Sequence, residues 1–258
     1  MSKTVLAIGA HPDDVEFMMA GTLLMLARAG YEPHIFVVAS GSCGTATDDR
    51  ATVSRIRLAE AQNAASLLGA HFYEPVTDDL EILYTLPLLR KVGAVVRKAK
   101  PDIVLTHSPE EYMEDHSTAC RLAVTATFSR GMRNFETHPP TAPIPGNVTL
   151  YHALPYGLCD PLGHPIAPGM YVNIKDTITQ KRHALACHES QKQWLDESQG
   201  LDSYLHAMDD MSREVGTWSG CYEVAEGWRK HAHLGFCDAQ SDPLREALGA
   251  DACLASAE

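Results

Sequence analysis

With 258 residues, 45% of them hydrophobic, the chain is long enough to bury a full core as one domain without disulfides. Its net charge of -12 and lack of any basic run longer than two residues exclude a partner held by neutralising phosphates, so nucleic acid is not expected. Seven cysteines with no CxxC pair exclude a disulfide framework or a cysteine zinc cluster and fit reduced thiols.

The run Thr4 to Ala10 is too short for a signal segment, and no stretch approaches the roughly 20 apolar residues that span a bilayer. The expectation is a soluble cytoplasmic protein without a membrane partner. One domain over 1–258 is predicted, with a core of roughly 1–190, a helical extension of roughly 191–240 and a mobile tail over 241–258.

Thr4 to Gly9 is a continuous apolar run ended by glycine, as expected of a central parallel strand buried on both faces. A helix is predicted over Val15 to Ala29, stopped by Gly30, then a strand over His34 to Ala39 and a loop at Gly41 to Gly44. Ser54 to Leu68 has helical periodicity; His71 to Pro75 follows as a third strand, Leu86 to Lys98 as a helix and Pro101 to Thr106 as a fourth strand. Beyond residue 118 the pattern weakens: helix over Ala119 to Ser129, a proline-rich loop to Asn147, strands at Val148 to His152 and Gly169 to Ile174, and helices over Thr177 to Trp194 and Leu201 to Val215. This alternation predicts an α/β fold with a doubly wound, mostly parallel sheet, helices on both faces and an irregular C-terminal extension. Ligands in such sheets sit at the carboxyl ends of the strands.

At the first strand end a nucleotide-binding protein would carry a glycine-rich turn; here the turn reads Gly9-Ala-His-Pro-Asp-Asp14. Two adjacent carboxylates and an imidazole repel phosphate unless a cation lies between them. Zinc accepts both donor types, and a catalytic site keeps three protein ligands plus a position for water. His11 and Asp14 are the candidate ligands, and Asp13 is the candidate general base acting on the bound water. An ordinary turn with an acidic N-cap would account for only one aspartate. The third ligand is sought at another strand end, where Glu114-Asp-His116 offers His116, with Asp115 as the partner that orients a metal-bound imidazole.

The segment Ala10-His-Pro-Asp-Asp-Val-Glu16, the helix carrying Arg57-Leu-Ala-Glu60 and Leu67-Leu-Gly69, and Pro101-Asp-Ile-Val-Leu-Thr-His107 followed by Asp115-His116 together resemble the LmbE-like, or PIG-L, family of zinc-dependent N-deacetylases. The resemblance covers roughly the first half of the chain, with looser similarity around Val172 and in Lys181 to Gln191. It implies a Rossmann-like fold and hydrolysis of an N-acyl group, commonly N-acetyl on a glucosamine. It also implies zinc, or another divalent metal, on His11, Asp14 and His116, with Asp13 as base. Arg57, Asp78, Asp79 and His107 are the candidate substrate-binding residues. The one departure is Met113, where many members carry a histidine that stabilises the oxyanion or protonates the leaving amine. His152 and His188 are the leading candidates to replace it, ahead of His107, His231 and His233. The expected partner is a small N-acyl compound, and the resemblance admits a homo-oligomer. Competing readings are an amidase for another N-acyl compound, such as a thiol conjugate or natural product, and a non-catalytic ligand-binding member.

Overall fold

The computed structural model describes residues 3–199 and 203–255. Its centre is β1 (Lys3–Gly9), flanked by β2 (Tyr31–Val37) and β4 (Ile103–Thr106), with β3 (His71–Tyr73) beyond β2 and β5 (Thr149–Ala153) beyond β4. These five strands are parallel, and β1 pairs with β2 in the register Ala7 to Ile35 and with β4 in the register Ala7 to Leu105. Three antiparallel strands extend this half: β7 (Ala225–Lys230) pairs with β5, β6 (Met170–Asn173) with β7, and β8 (Ala252–Leu254) with β6. The sheet is therefore mixed and eight-stranded, in the order β3-β2-β1-β4-β5-β7-β6-β8.

Alternation along β1 divides the core between the two faces of the sheet. Val5 and Ala7 point into a layer with Leu23, Leu26 and Ala64. These come from α2 (Ala20–Arg28) and α3 (Arg50–Leu67). Leu6 and Ile8 point into the opposite layer with Leu88, Val92 and Leu122, from α4 (Leu86–Ala99) and α5 (Glu114–Phe128). Helices thus cover both faces, as the alternating pattern predicts.

Two features differ from the sequence-based expectation. The helix expected over Val15 to Ala29 is broken into α1 (Asp14–Met18) and α2, because Met19 leaves the helical region at φ -132°. The Glu226 carboxylate of β7 then accepts the free amides of Gly21 (2.9 Å) and Thr22 (2.7 Å), capping α2 from the far side of the chain. Lys181, in α6 (Ile178–Leu185), places Nζ 2.6 Å from the same carboxylate, and both side chains are buried. Gly21 is required there, since a Cβ would lie 2.6 Å from Ile174 Cγ2 and 2.8 Å from Glu226 Oε1.

The second difference is at the C-terminus. The helix expected over Thr177 to Trp194 is interrupted, giving α6 and α7 (Glu189–Gln199), and α8 (Ser203–Ser219) follows. The start of the helix expected from Leu201 falls outside the described residues. Instead of an irregular extension, the chain returns to the sheet as β7. Within the segment expected to be a mobile tail, α9 (Pro243–Leu248) packs Leu244 into the core and β8 completes the sheet edge; residues 256–258 lie outside the described residues. No helix among the described residues is long and apolar enough to cross a membrane.

Replacing Lys181 with methionine leaves the Glu226 carboxylate buried without its cation and is expected to cost about 3–5 kcal/mol in urea unfolding. Pairing it with Glu226→Met should recover only part of that loss, because Gly21 and Thr22 would then lose their acceptor. Full recovery in the double variant would refute the capping role.

Candidate active site

The chain leaves β1 at Gly9 and β4 at Thr106, neighbouring strands of the parallel half, so the two loops meet at one sheet edge. In the first loop the Asp14 carboxylate folds the turn back on itself. Its Oδ2 accepts the amides of Ala10 (2.9 Å) and His11 (2.7 Å). Asp13 occupies the N-cap position of α1 but makes no capping bond, and its backbone stands at φ +105°. That left-handed conformation is unfavourable for a residue with a Cβ and costs on the order of 1–3 kcal/mol. The carboxylate is thereby released from capping and directed into the site.

His11, Asp14 and His116 offer ligand atoms that all lie within 4.8 Å of one another, and all three residues are buried. His116 Nε2 is 3.3 Å from Asp14 Oδ1, and His11 Nδ1 is 3.6 Å from Asp14 Oδ2. The remaining nitrogens are directed at other acids. His11 Nε2 lies 2.9 Å from Asp115 Oδ2, which also accepts the Leu80 amide, and His116 Nδ1 lies 3.3 Å from Glu111 Oε2. His11 thus has a carboxylate bonded to its second nitrogen, the arrangement that metal-bound histidines require, and Glu111 stands close to the second nitrogen of His116 without a formed hydrogen bond. Burial opposes charge on His11, yet the hydrogen bonds to Asp115 and Asp14 outweigh it and push the pKa up to about 9. For His116, burial is likewise outweighed, by Asp14 and then Glu111, and the pKa rises to about 10. A compact, buried donor set of two imidazoles and a carboxylate, with an electrostatic demand for positive charge, fits a divalent ion.

Asp13 is bracketed from elements distant in sequence. Tyr204 of α8 donates its hydroxyl to Asp13 Oδ2 at 2.6 Å, and Arg57 Nη2 lies 3.2 Å from the same oxygen. Burial raises the Asp13 pKa; the Arg57 guanidinium opposes the shift and the Asp14 carboxylate adds to it. Arg57 is itself locked in place: Nη2 also donates to the Pro12 carbonyl at 2.6 Å. Gly41, at φ +79°, and Gly44 leave it room, because a Cβ on either would lie 2.6 Å from an Arg57 side-chain atom.

These groups form the floor of a cavity of about 420 Å³, whose lining includes Phe17, Tyr112, Tyr156, Trp194, Gln191 and Met113. Arg57 and Asp79 line it too, although Asp79 spends both oxygens on the amides of Gly41 (2.7 Å) and Cys43 (2.9 Å). Asp78 lies off the cavity, bonded to the Ser40 hydroxyl and to Arg50. His107 stacks on His116 with ring centroids 4.4 Å apart, and its Nε2 accepts the Ala10 amide; it supports the turn from beneath and does not line the cavity.

Neither His152 nor His188 reaches the cavity lining. His152 Nδ1 donates to the His107 carbonyl and its Nε2 lies 2.9 Å from His231 Nδ1, so both nitrogens are engaged behind the site. His188 is fully buried, with Nε2 3.5 Å from Glu16 Oε2. Sequence reasoning passed over Glu111 and Tyr204. The rule that each metal-bound histidine needs a partner for its second nitrogen leads to Glu111 once Asp115 is assigned to His11. No local signal marks Tyr204, which lies 191 residues from Asp13.

Residues 6–127 match the family model for PIG-L, GlcNAc-PI de-N-acetylase. The chain is 30% identical to a diacetylchitobiose deacetylase of Thermococcus kodakarensis over 200 residues, covering 73% of this chain and 70% of that protein. It is 27% identical to a 4-oxalmesaconate hydratase of Pseudomonas putida, covering 74% of each. Its fold matches the crystal structure of an N,N'-diacetylchitobiose deacetylase from Pyrococcus horikoshii with a TM-score of 0.75 at 23% identity, over 94% of this chain and 89% of that one. The chain belongs to the PIG-L, or LmbE-like, family of deacetylases, as the motifs around His11 and His116 imply.

Two measurements probe this geometry. Asp115→Ala removes the carboxylate behind His11 and should weaken zinc binding about 10–100-fold in competition with a chelating dye; an affinity within about twofold of wild type would show that Asp115 does not orient the ligand. For His152, burial pushes the pKa down to about 4, so it stays neutral in the fold while the unfolded chain protonates it near pH 6.5. Its contribution to stability is complete above that pH and is lost as pH falls towards 4, by about 3 kcal/mol. His152→Gln should flatten that part of the profile in urea unfolding from pH 7 to 4.5, and an unchanged slope would contradict the assignment.

Proposed function

We propose that the protein is a metal-dependent hydrolase that removes the acetyl group from a small N-acetylated compound, with the relatives pointing towards an amino sugar or glycoconjugate. The observation that carries this reading is the buried triad His11, Asp14 and His116 at the cavity floor, with the Asp13 carboxylate held beside it.

A divalent ion on that triad, with zinc the natural choice for its donor set, would polarise the acetyl oxygen and acidify a water molecule. The protein's own groups supply the remainder. Tyr204 and Arg57 both bond to Asp13 Oδ2, which fixes the carboxylate's orientation while its burial favours taking up a proton. Asp13 removes the proton as the water oxygen bonds to the acyl carbon. The same proton is then carried to the amide nitrogen as the C–N bond breaks, releasing acetate and the free amine. This single-carboxylate shuttle suits a cavity in which the residue beside the triad is Met113, a thioether with no proton to give. It also needs nothing from His152 or His188, which lie behind the cavity wall.

Met113 also supports a second reading, hydration of a carbon–carbon double bond, the type of activity named for the Pseudomonas relative. Hydration uses the same metal site and base but has no departing amine to protonate.

Zinc-loaded protein should release acetate from N-acetylglucosamine or diacetylchitobiose, and Asp13→Ala should lower turnover about 10²–10⁴-fold while still binding one zinc per chain. His11→Ala and His116→Ala should lose the zinc itself, as read by elemental analysis. Turnover that survives in Asp13→Ala would overturn its role as base. Loss of an unsaturated carboxylate's absorbance, without acetate release from any N-acetyl compound, would select hydration.

A further inference from the structure

The proposed deacetylase reading leaves open what surrounds the acetamido group, and the cavity wall bears on it. A sequence of aromatic rings runs from the base to the metal triad. Tyr204, bonded to Asp13, packs against Phe17 with centroids 5.7 Å apart; Phe17 meets Tyr156 at 5.4 Å, Tyr156 meets Tyr112 at 5.8 Å, and Tyr112 meets His116 at 5.6 Å. Exposure along this wall is low at the inner pair and high at the two middle tyrosines. Tyr204 and Phe17 are 8% and 7% exposed, whereas Tyr156 and Tyr112 are 42% and 59% exposed. The inner pair is explained by packing around the base. The outer pair, tilted 51° to one another at the mouth, leaves large apolar faces open to solvent, an arrangement that marks a binding surface more than a core.

The opposite side offers little that could read a sugar's hydroxyls. Asp79 bonds with both oxygens to loop amides, and Arg57 is tied to Pro12 and Asp13. Among the described residues, the buried polar atoms of the lining without a hydrogen-bond partner are Arg57 Nε, His116 Nδ1 and Gln191 Oε1, and of these Gln191 Oε1 lies outside the base and triad and can accept from a single hydroxyl or N–H. Recognition through several hydroxyl contacts needs several free polar groups, whereas stacking needs only open faces.

Resting on the deacetylase reading, we propose that the substrate is a conjugate in which the N-acetylated unit carries a flat, apolar substituent that lies on the exposed ring face of Tyr156 beside Tyr112, and that Tyr156 determines this preference. The acetyl group reaches the floor, Gln191 takes one polar group of the unit bearing it, and the substituent rests on the exposed tyrosine faces.

The test compares N-acetylglucosamine with its phenyl glycoside on the zinc-loaded enzyme. The glycoside should be favoured at least about tenfold in kcat/KM, mainly through KM, since one well-stacked ring supplies binding of that order. Tyr156→Ala should reduce the preference below about threefold, and Tyr156→Phe, which keeps the ring, should restore it. Equal efficiency on both compounds, or a preference untouched by Tyr156→Ala when Tyr156→Phe folds normally, would overturn the proposal. Calorimetric binding of phenyl glucosaminide against glucosamine separates the two readings. Selective binding without hydrolysis of either acetylated compound would sink deacetylation and leave the aromatic seat standing. Hydrolysis without selectivity would do the reverse.

Discussion

The site depends on what the Asp14 carboxylate does with its two oxygens. Oδ2 collects the amides of Ala10 and His11 and so fixes the backbone of the turn, while Oδ1 faces His116 across the gap between β1 and β4. One side chain therefore builds the loop and supplies the negative charge around which the two imidazoles gather. Burial of that charge would be expensive by itself. The arrangement of histidines about it is the compensation. It also explains the division between the adjacent aspartates: with Asp14 occupied by the turn and the triad, Asp13 is left to swing outward on a strained backbone.

The meeting of His11, Asp14 and His116 was legible in the sequence because its signals are local. A strand ended by Gly9 fixes where the turn lies, and the doubly wound rule says that a later strand end comes beside it, so His11, Asp14 and His116 can be joined from the sequence. Asp115 was likewise reachable, being next to His116. The polar contacts of Arg57 and Asp79 were not, since the same side chains could face solvent, substrate or backbone. The structure turns both towards the protein, where they shape the loop over the cavity.

What the sequence hid in the C-terminal half has a common physical cause. The β7 segment Ala-Glu-Gly-Trp-Arg-Lys carries charge where strand patterning calls for apolar residues, because Glu226 is compensated by Lys181 and by two amides of α2. Likewise β8 is three residues in an alanine-rich tail and exists through pairing with β6. Tyr204 and the break at Met19 belong to the same class: each depends on a contact between segments that share no sequence neighbourhood. Pattern rules weigh a buried charge or a lone tyrosine against its neighbours in the chain, and here the deciding neighbours are elsewhere.

The cap on α2 has a consequence in time. The turn and α1 are synthesised well before β7, since the carboxylate that accepts the amides of Gly21 and Thr22 lies 205 residues downstream of Gly21. At a translation rate of about 5–20 residues per second, that cap arrives roughly 10–40 seconds after the segment it stabilises. During that interval the nascent Val15 to Ala29 segment carries the uninterrupted apolar pattern of a single helix, and the amides of Gly21 and Thr22 gain this acceptor only when β7 joins the sheet. The geometry beside the turn is thus completed by a strand made long after it.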